Sequence, residues 1–360
     1  MDRRVFLRRL GEAAAGSVLL SAFSAMLGAR PAQAAAAVTT MGWGGSNDET
    51  QTRTIYGPFA EKSGIPVNII PYNISKVLAM HQANAMEVDF ICGGGLDTLR
   101  LVKDGLAEKI DWTKVDKSAL TPNQLAYGDY AIGSNTTSYM MVYNKEKWPG
   151  DDHPKSWRDF WDVEKFPGAR AMGRYTAYPV LEYALMADGV PADPAKMYPL
   201  DVDRAFRSLD RIKPHITVWW ESGAQQQQLI ENKEVDLLDM WNGRATVSIR
   251  DNGASYEMVW NEAAYQGEVE GWLVLAGAPN PEGAMTIMDW LGRAEPQAAY
   301  ARAMYYGPTN LKAFDLLDEE FSKLMPSYPA NTAVQMKIDF NWWYDNFDAV
   351  QKRFESWLLG

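Results

Sequence analysis

Short apolar runs alternate with segments of helical spacing along nearly the whole chain. Val38–Met41, IPVNII (65–70) and VDFIC (88–92) read as strands, and SKVLAMHQANAM (75–86) and DTLRLVKDG (97–105) as helices. After a stretch rich in charge, proline and tryptophan (145–168) the alternation resumes with ITVWW (216–220), SGAQQQQLIENK (222–233), VDLLDMW (235–241) and YEMVW (256–260). Strands interleaved with helices predict an α/β chain built on mostly parallel sheets flanked by helices. A chain of 360 residues exceeds the size at which a single core stops growing, so two domains are expected.

Two further apolar runs, SYMMVYN (138–144) and GWLVLAG (271–277), read as strands that cross between the domains. They divide the chain into a first lobe of 35–142 plus 271–312 and a second of 143–270 plus 313–360. The final segment, FNWWYDNFDAVQKRFESWL (340–358), has the aromatic spacing of a helix packed across a domain.

The first 34 residues stand apart. Arg3-Arg4 followed by Phe6-Leu7, a short apolar centre (17–27) and Ala32-Gln33-Ala34 occur in the order of a cleavable export signal of the twin-arginine type. Export to the periplasm is expected, with the mature chain starting near Ala35. No later apolar run approaches the length of a membrane span. The net charge of −11 disfavours nucleic acid as a partner, and removal of the arginine-rich leader leaves the chain more acidic still. The one cysteine, Cys92, allows no intrachain disulfide and reads as a core residue of its strand.

The chemistry-bearing residues gather where strands end and helices begin, the rim on which α/β sheets place ligands. Trp43 follows the first strand between two glycines. Trp219 and Trp220 close ITVWW; alternation sends them to opposite faces, so one of them, Trp220, is expected in a cleft beside Glu221. Trp241 closes VDLLDMW, with Asn242 as an expected N-cap and Arg244 in the first turn. A cation there opposes the helix dipole, so an anion should compensate it, either Glu221 or a carboxylate on a ligand. Trp260-Asn261 closes a third strand. Together these tryptophans read as an aromatic box fit for cation–π or aliphatic contact. Four glutamines, 225–228, make one turn of an ordinary helix: Ser222 and Gln225 fit a capping box, Gln226 faces the buried side and Gln227 faces solvent.

KSWRDFWDVEKFPG (155–168), YPLDVDRAFRSLDRIKP (198–214), WWESGAQQQQL (219–229), MWNGRA (240–245) and YGPTN (306–310) resemble the periplasmic solute-binding proteins of ABC transporters, in the spermidine/putrescine group. The resemblance implies the two-lobed periplasmic-binding-protein fold of type II, with hinge crossover strands. It implies a monomer that closes over a small organic solute and delivers it to an inner-membrane permease, with no cofactor. The aromatic part of a polyamine site carries over to Trp43, Trp241 and Trp260. The acidic part does not: GRYTAYPVLEY (173–183) offers Tyr175 and Tyr178 where the family has an acidic pair, and AAYQG (263–267) lacks a further acid. Glu182, Glu221 and Asp48 are candidate substitutes. With Arg244 present, a carboxylate-bearing amine, such as an amino-acid derivative or opine-like solute, stands as the alternative to a polyamine. An enzyme on the same fold finds little support, since His81, His153 and His215 show no ligand or triad spacing. A ferric-ion binder would use a tyrosine pair, Tyr305-Tyr306, but adjacent helical residues do not face each other.

Overall fold

The strands assemble into two groups of sheets. In a computed structural model, which describes residues 36–360 apart from Ala126, Glu268 and Val269, six strands form one sheet in the order Met336–Lys337, Tyr256–Tyr265, Ser138–Asn144, Leu237–Trp241, Arg170–Gly173, Ile216–Trp220. These are β6 (Ser138–Asn144), β7 (Arg170–Gly173), β8 (Ile216–Trp220), β9 (Leu237–Trp241), β10 (Tyr256–Tyr265) and β13 (Met336–Lys337). The other group holds β1 (Val38–Gly42) paired parallel with β2 (Val67–Pro71). Beside them β3 (Phe90–Gly93), β11 (Gly271–Val274) and β4 (Ile132–Gly133) form a sheet with β11 in the middle. A short pair, β5 (Asn135–Thr136) with β12 (Gly307–Pro308), completes this lobe. The export signal expected at 1–34 lies outside the described residues.

Strand direction follows from the crossings. Within the second lobe β7 runs parallel to β8 and β9, as expected of strands joined through helices. The strands that arrive from the opposite lobe enter at the cleft and run away from it. β6 is therefore antiparallel to β9, and β11 is antiparallel to both β3 and β4. The chain leaves the first group of sheets after β5 and joins the second at Ser138, ahead of the 142/143 boundary expected from composition. It returns between Tyr265 and Gly271.

The second lobe buries an aromatic core, with Trp157 stacked on Tyr183 at 3.5 Å between ring centroids and Trp343, Phe160 and Phe354 fully enclosed. In the first lobe Tyr56 packs edge to face on Phe90 and Trp272, which tilt against each other. Four helices are placed by these sheets and cores. α1 (Gly45–Gln51) follows β1, and α2 (Gly95–Lys103) follows β3. α3 (Gly223–Glu231) follows β8, and α4 (Phe340–Leu359) ends the chain. The last is anchored in the second lobe by Trp343 and Phe354, as its aromatic spacing predicts, and also touches α2 of the first. No helix among the described residues is long and apolar enough to cross a membrane.

Candidate functional site

A cavity of about 660 Å³ opens where the carboxyl ends of strands from both lobes meet. The first lobe contributes Trp43 after β1, Asp48 on α1 and Asp97 on α2. The second contributes Tyr175 and Tyr178 after β7, Glu221 after β8, Trp241 at the end of β9 and Arg244 after it. Between them lie Asn135, Thr137 and Tyr139 on the outgoing crossing and Gln266 and Glu270 on the return.

The walls are aromatic. Trp43 stacks on Tyr72 at 3.7 Å and 17°, and the Tyr72 hydroxyl donates to Asp97 Oδ2 at 2.7 Å. Tyr139 packs against Trp241 at 4.8 Å. Trp43 and Tyr175 are 39% and 48% exposed although both are large rings, so the lobes present two open aromatic faces to the cavity.

The charges are fewer and differ in kind. Arg244 donates to Gln227 Oε1 at 3.3 Å and lies beside Tyr306. Burial pushes the Tyr306 hydroxyl up to about 12, and the neighbouring guanidinium restrains that rise. Among the described residues Arg244 forms no ion pair, because Glu221, its expected partner, binds Arg174 at 3.3 Å instead. Gly223 makes room for the guanidinium: a Cβ there would overlap Arg244 Nε. On the acidic side burial raises the carboxyl groups of Asp48 and Asp97, and pushes that of Glu270 up to about 7. Burial also holds the Cys92 thiol protonated.

Several sequence expectations are corrected. Trp220 does not reach the cavity. It is 2% exposed, packs on Gly173, and its Nε1 donates to Asp239 Oδ1 at 2.8 Å, while Trp219 turns the other way onto Trp357. Trp260 and Asn261 also lie outside the cavity lining, since β10 does not end there. It continues through a bulge to Tyr265, and the residue level with Tyr139 and Trp241 is Ala264. Asn261 instead donates to the Lys155 carbonyl at 2.9 Å. Asn242 is not a cap: its side chain accepts from Ser138 N and donates to Tyr305 O, tying the end of β9 to both neighbours.

The glutamine turn largely follows the pattern read from sequence. Ser222 accepts from Gln225 N, although Gln225 reaches back to Glu221 N rather than Ser222 N, and Gln226 is buried. Gln227, expected in solvent, is half-buried and holds Arg244. Of the candidate substitute acids, Asp48 lines the cavity, and Glu182 is buried between Tyr198 and Trp343. Tyr305 and Tyr306 diverge, the first donating to Asp251 and the second lining the cavity.

Tyr72, Asp97, Tyr139 and Glu270 were not singled out in the sequence. Asp97 could have been found, since it sits in the first turn of the helix that opens at Gly95, within the glycine run that closes β3. Glu270 carries no comparable signal, because its place depends on two crossings distant in sequence.

A two-lobed α/β frame with a ligand-sized cavity at its strand ends, entered by crossing strands, defines a solute receptor. The chain belongs to the bacterial extracellular solute-binding proteins of ABC transport, and that family's pattern matches residues 54–333. It is 29% identical over 344 residues to the gamma-aminobutyric acid-binding protein of Pseudomonas aeruginosa, covering 94% of this chain and 95% of that one. A solved GABA receptor matches with a TM-score of 0.80 at 34% identity, over 89% of this chain and 97% of the other. AgtB of Agrobacterium tumefaciens R10, solved with agropinic acid, matches with a TM-score of 0.80 at 32% identity, over 91% and 99%. The resemblance to the polyamine group is more distant: the spermidine/putrescine-binding protein of Escherichia coli is 27% identical over 64% of this chain and 66% of its own length.

Proposed function

We propose that this chain captures a small solute bearing both an amine and a carboxylate and presents it, lobes closed, to an ABC permease. The carrying observation is the charge inventory of the cavity. Among the described residues Arg244 is a guanidinium with no carboxylate partner, and Glu270, like Asp48, is a carboxyl group with no paired cation. A polyamine leaves the first unanswered and a simple carboxylic acid leaves the second. A solute with both groups answers both, and buried polar groups left unpaired are what make such sites selective. Trp43, Tyr175 and Trp241 would cover the apolar part of the solute. The resemblance to GABA-binding proteins supports this reading over the polyamine reading, and the resemblance to an agropinic-acid-binding protein supports its carboxylate half.

The mechanism needs only hinge closure. The open form binds solute on one lobe, the second lobe completes the cavity, and the closed form is the one a permease distinguishes.

The test is calorimetric titration of protein refolded free of ligand with GABA, agropinic acid, putrescine and spermidine, repeated with Arg244→Ala. Binding of the carboxylate-bearing solutes should weaken by about 30- to 4,000-fold in the variant, the range for removing one partner of a desolvated charge pair. Tight putrescine binding that is indifferent to Arg244 would return the site to the polyamine class.

A further inference from the structure

Glu270 occupies an unusual place. It is the residue before β11, where the chain re-enters the first lobe. Its Oε1 accepts from Thr137 Oγ1 at 2.8 Å and its Oε2 from Asn135 Nδ2 at 2.8 Å, both on the outgoing crossing. The backbones are joined as well, Ser134 N to Glu270 O at 3.0 Å and Gln266 N to Thr137 O at 3.0 Å. One carboxyl group therefore fastens the two connections between the lobes while lining the cavity.

The titratable groups facing it are Cys92, Tyr127, Tyr139, Tyr178, Tyr300 and Tyr306. All are neutral near pH 7, and no lysine or arginine among the described residues pairs with it. An ionised carboxylate has about four acceptor positions. Two are taken by the crossing strand, which leaves acceptor capacity for a cation.

We propose that Glu270 reads the solute's ammonium and passes its arrival directly to the hinge. This rests on the amine-and-carboxylate reading of the site. An ammonium seated on Glu270 stabilises the ionised carboxylate and so strengthens the hydrogen bonds that hold the crossings in register. The site would then close around amines and stay open around neutral isosteres. Because burial holds the free carboxyl up to about 7, amine binding below that pH releases a proton, and binding well above it does not.

The experiment compares wild type with Glu270→Gln. GABA is titrated at pH 6.5 in two buffers of different ionisation enthalpy, with X-ray scattering at saturating GABA and thermal unfolding as the check on folding. Wild type should release a fraction of a proton per GABA bound and contract. Glu270→Gln should unfold no earlier, release no proton, bind about 100-fold more weakly and fail to contract when saturated. Unchanged affinity and proton release in the variant would overturn the proposal while leaving the Arg244 reading intact. Full contraction of the saturated variant would overturn the hinge coupling. If wild type ignores GABA, the pair is repeated with putrescine: a response lost in Glu270→Gln keeps Glu270 as the amine reader and sinks the carboxylate reading. A wild type that binds neither overturns both.

Discussion

Arg100 Nη2 lies 2.7 Å from Asp348 Oδ1, joining α2 of the first lobe to the terminal helix α4 of the second. The pair has company: Tyr344 Oη donates to Asp104 at 2.5 Å, Lys103 Nζ sits 4.2 Å above the Tyr344 ring, and Arg100 lies over Phe347 at 4.8 Å. α2 carries Asp97 into the cavity, so these contacts connect the lobes directly behind a cavity wall.

Reversing Arg100 should therefore weaken closure without touching the solute. Asp348 is 90% exposed, so the effect is that of a solvated pair. Arg100→Glu is expected to lower affinity for solutes of equal net charge by the same factor, about two- to fivefold, since Arg100 also acts on Asp97 in the cavity wall. Adding Asp348→Arg should restore it, and salt should shrink the difference. Titrations of two unlike solutes of equal net charge at two ionic strengths check this; a change in their ratio would refute it.

Gly223→Ala should reproduce the loss seen with Arg244→Ala while leaving the arginine in place. The added methyl group occupies the position of Arg244 Nε, so the guanidinium must move. Alanine is acceptable at the first helical position, so α3 should form normally. Weakened binding of carboxylate-bearing solutes with an unchanged melting temperature is the expected pair of results.

Trp220 and Trp241 pack at 5.4 Å, yet their substitutions should separate cleanly. Trp220→Phe deprives Asp239 Oδ1 of its indole donor beside an Oδ2 that already lacks one. Stability should drop by about 1–3 kcal/mol with little change in affinity. Trp241→Ala removes a cavity wall and should act mainly on affinity. Denaturant titration alongside calorimetry distinguishes the two.

Two buried acids and a third, half-buried in the cavity wall, set the pH dependence. Burial pushes Glu182, Asp239 and Glu270 up to about 7 in the folded chain. Between the ordinary carboxylate range near 4 and that value, the folded state holds protons the unfolded state has lost. Stability should therefore fall as pH rises through that window and level off above about 7.5. One group so displaced and fully buried, such as Glu182, accounts for on the order of 3 kcal/mol. Melting temperatures from pH 5 to 8 should decline, and Glu182→Gln should flatten the curve. A rising curve would contradict this assignment.

How far the sequence reached depended on whether a feature was local. The strands and helices, the capped glutamine turn and the terminal helix follow from spacing within a few residues. Trp43, Glu221 and Trp241, expected at strand ends, Arg244, expected in the helical turn that follows, and Tyr175, drawn from the family resemblance, lie in the cavity lining. Trp260 misled because a bulge carries β10 past it, and a bulge leaves no fixed residue signature. Trp220 misled because alternation says that two faces exist but not which one is covered. Glu270 was illegible for a stronger reason: its partners, Asn135 and Thr137, lie more than a hundred residues away, and only the double crossing brings them together.

The terminal helix has a practical consequence. α4 is rooted in the second lobe, touches the first through Arg100 and Asp104, and ends at Leu359, which is 86% exposed. A fluorophore attached there travels with one lobe, while a second on the outer face of the first lobe travels with the other. Energy transfer between them would track each opening and closing event on single molecules. The receptor could thus be turned into a sensor for its own solute without altering a residue of the cavity.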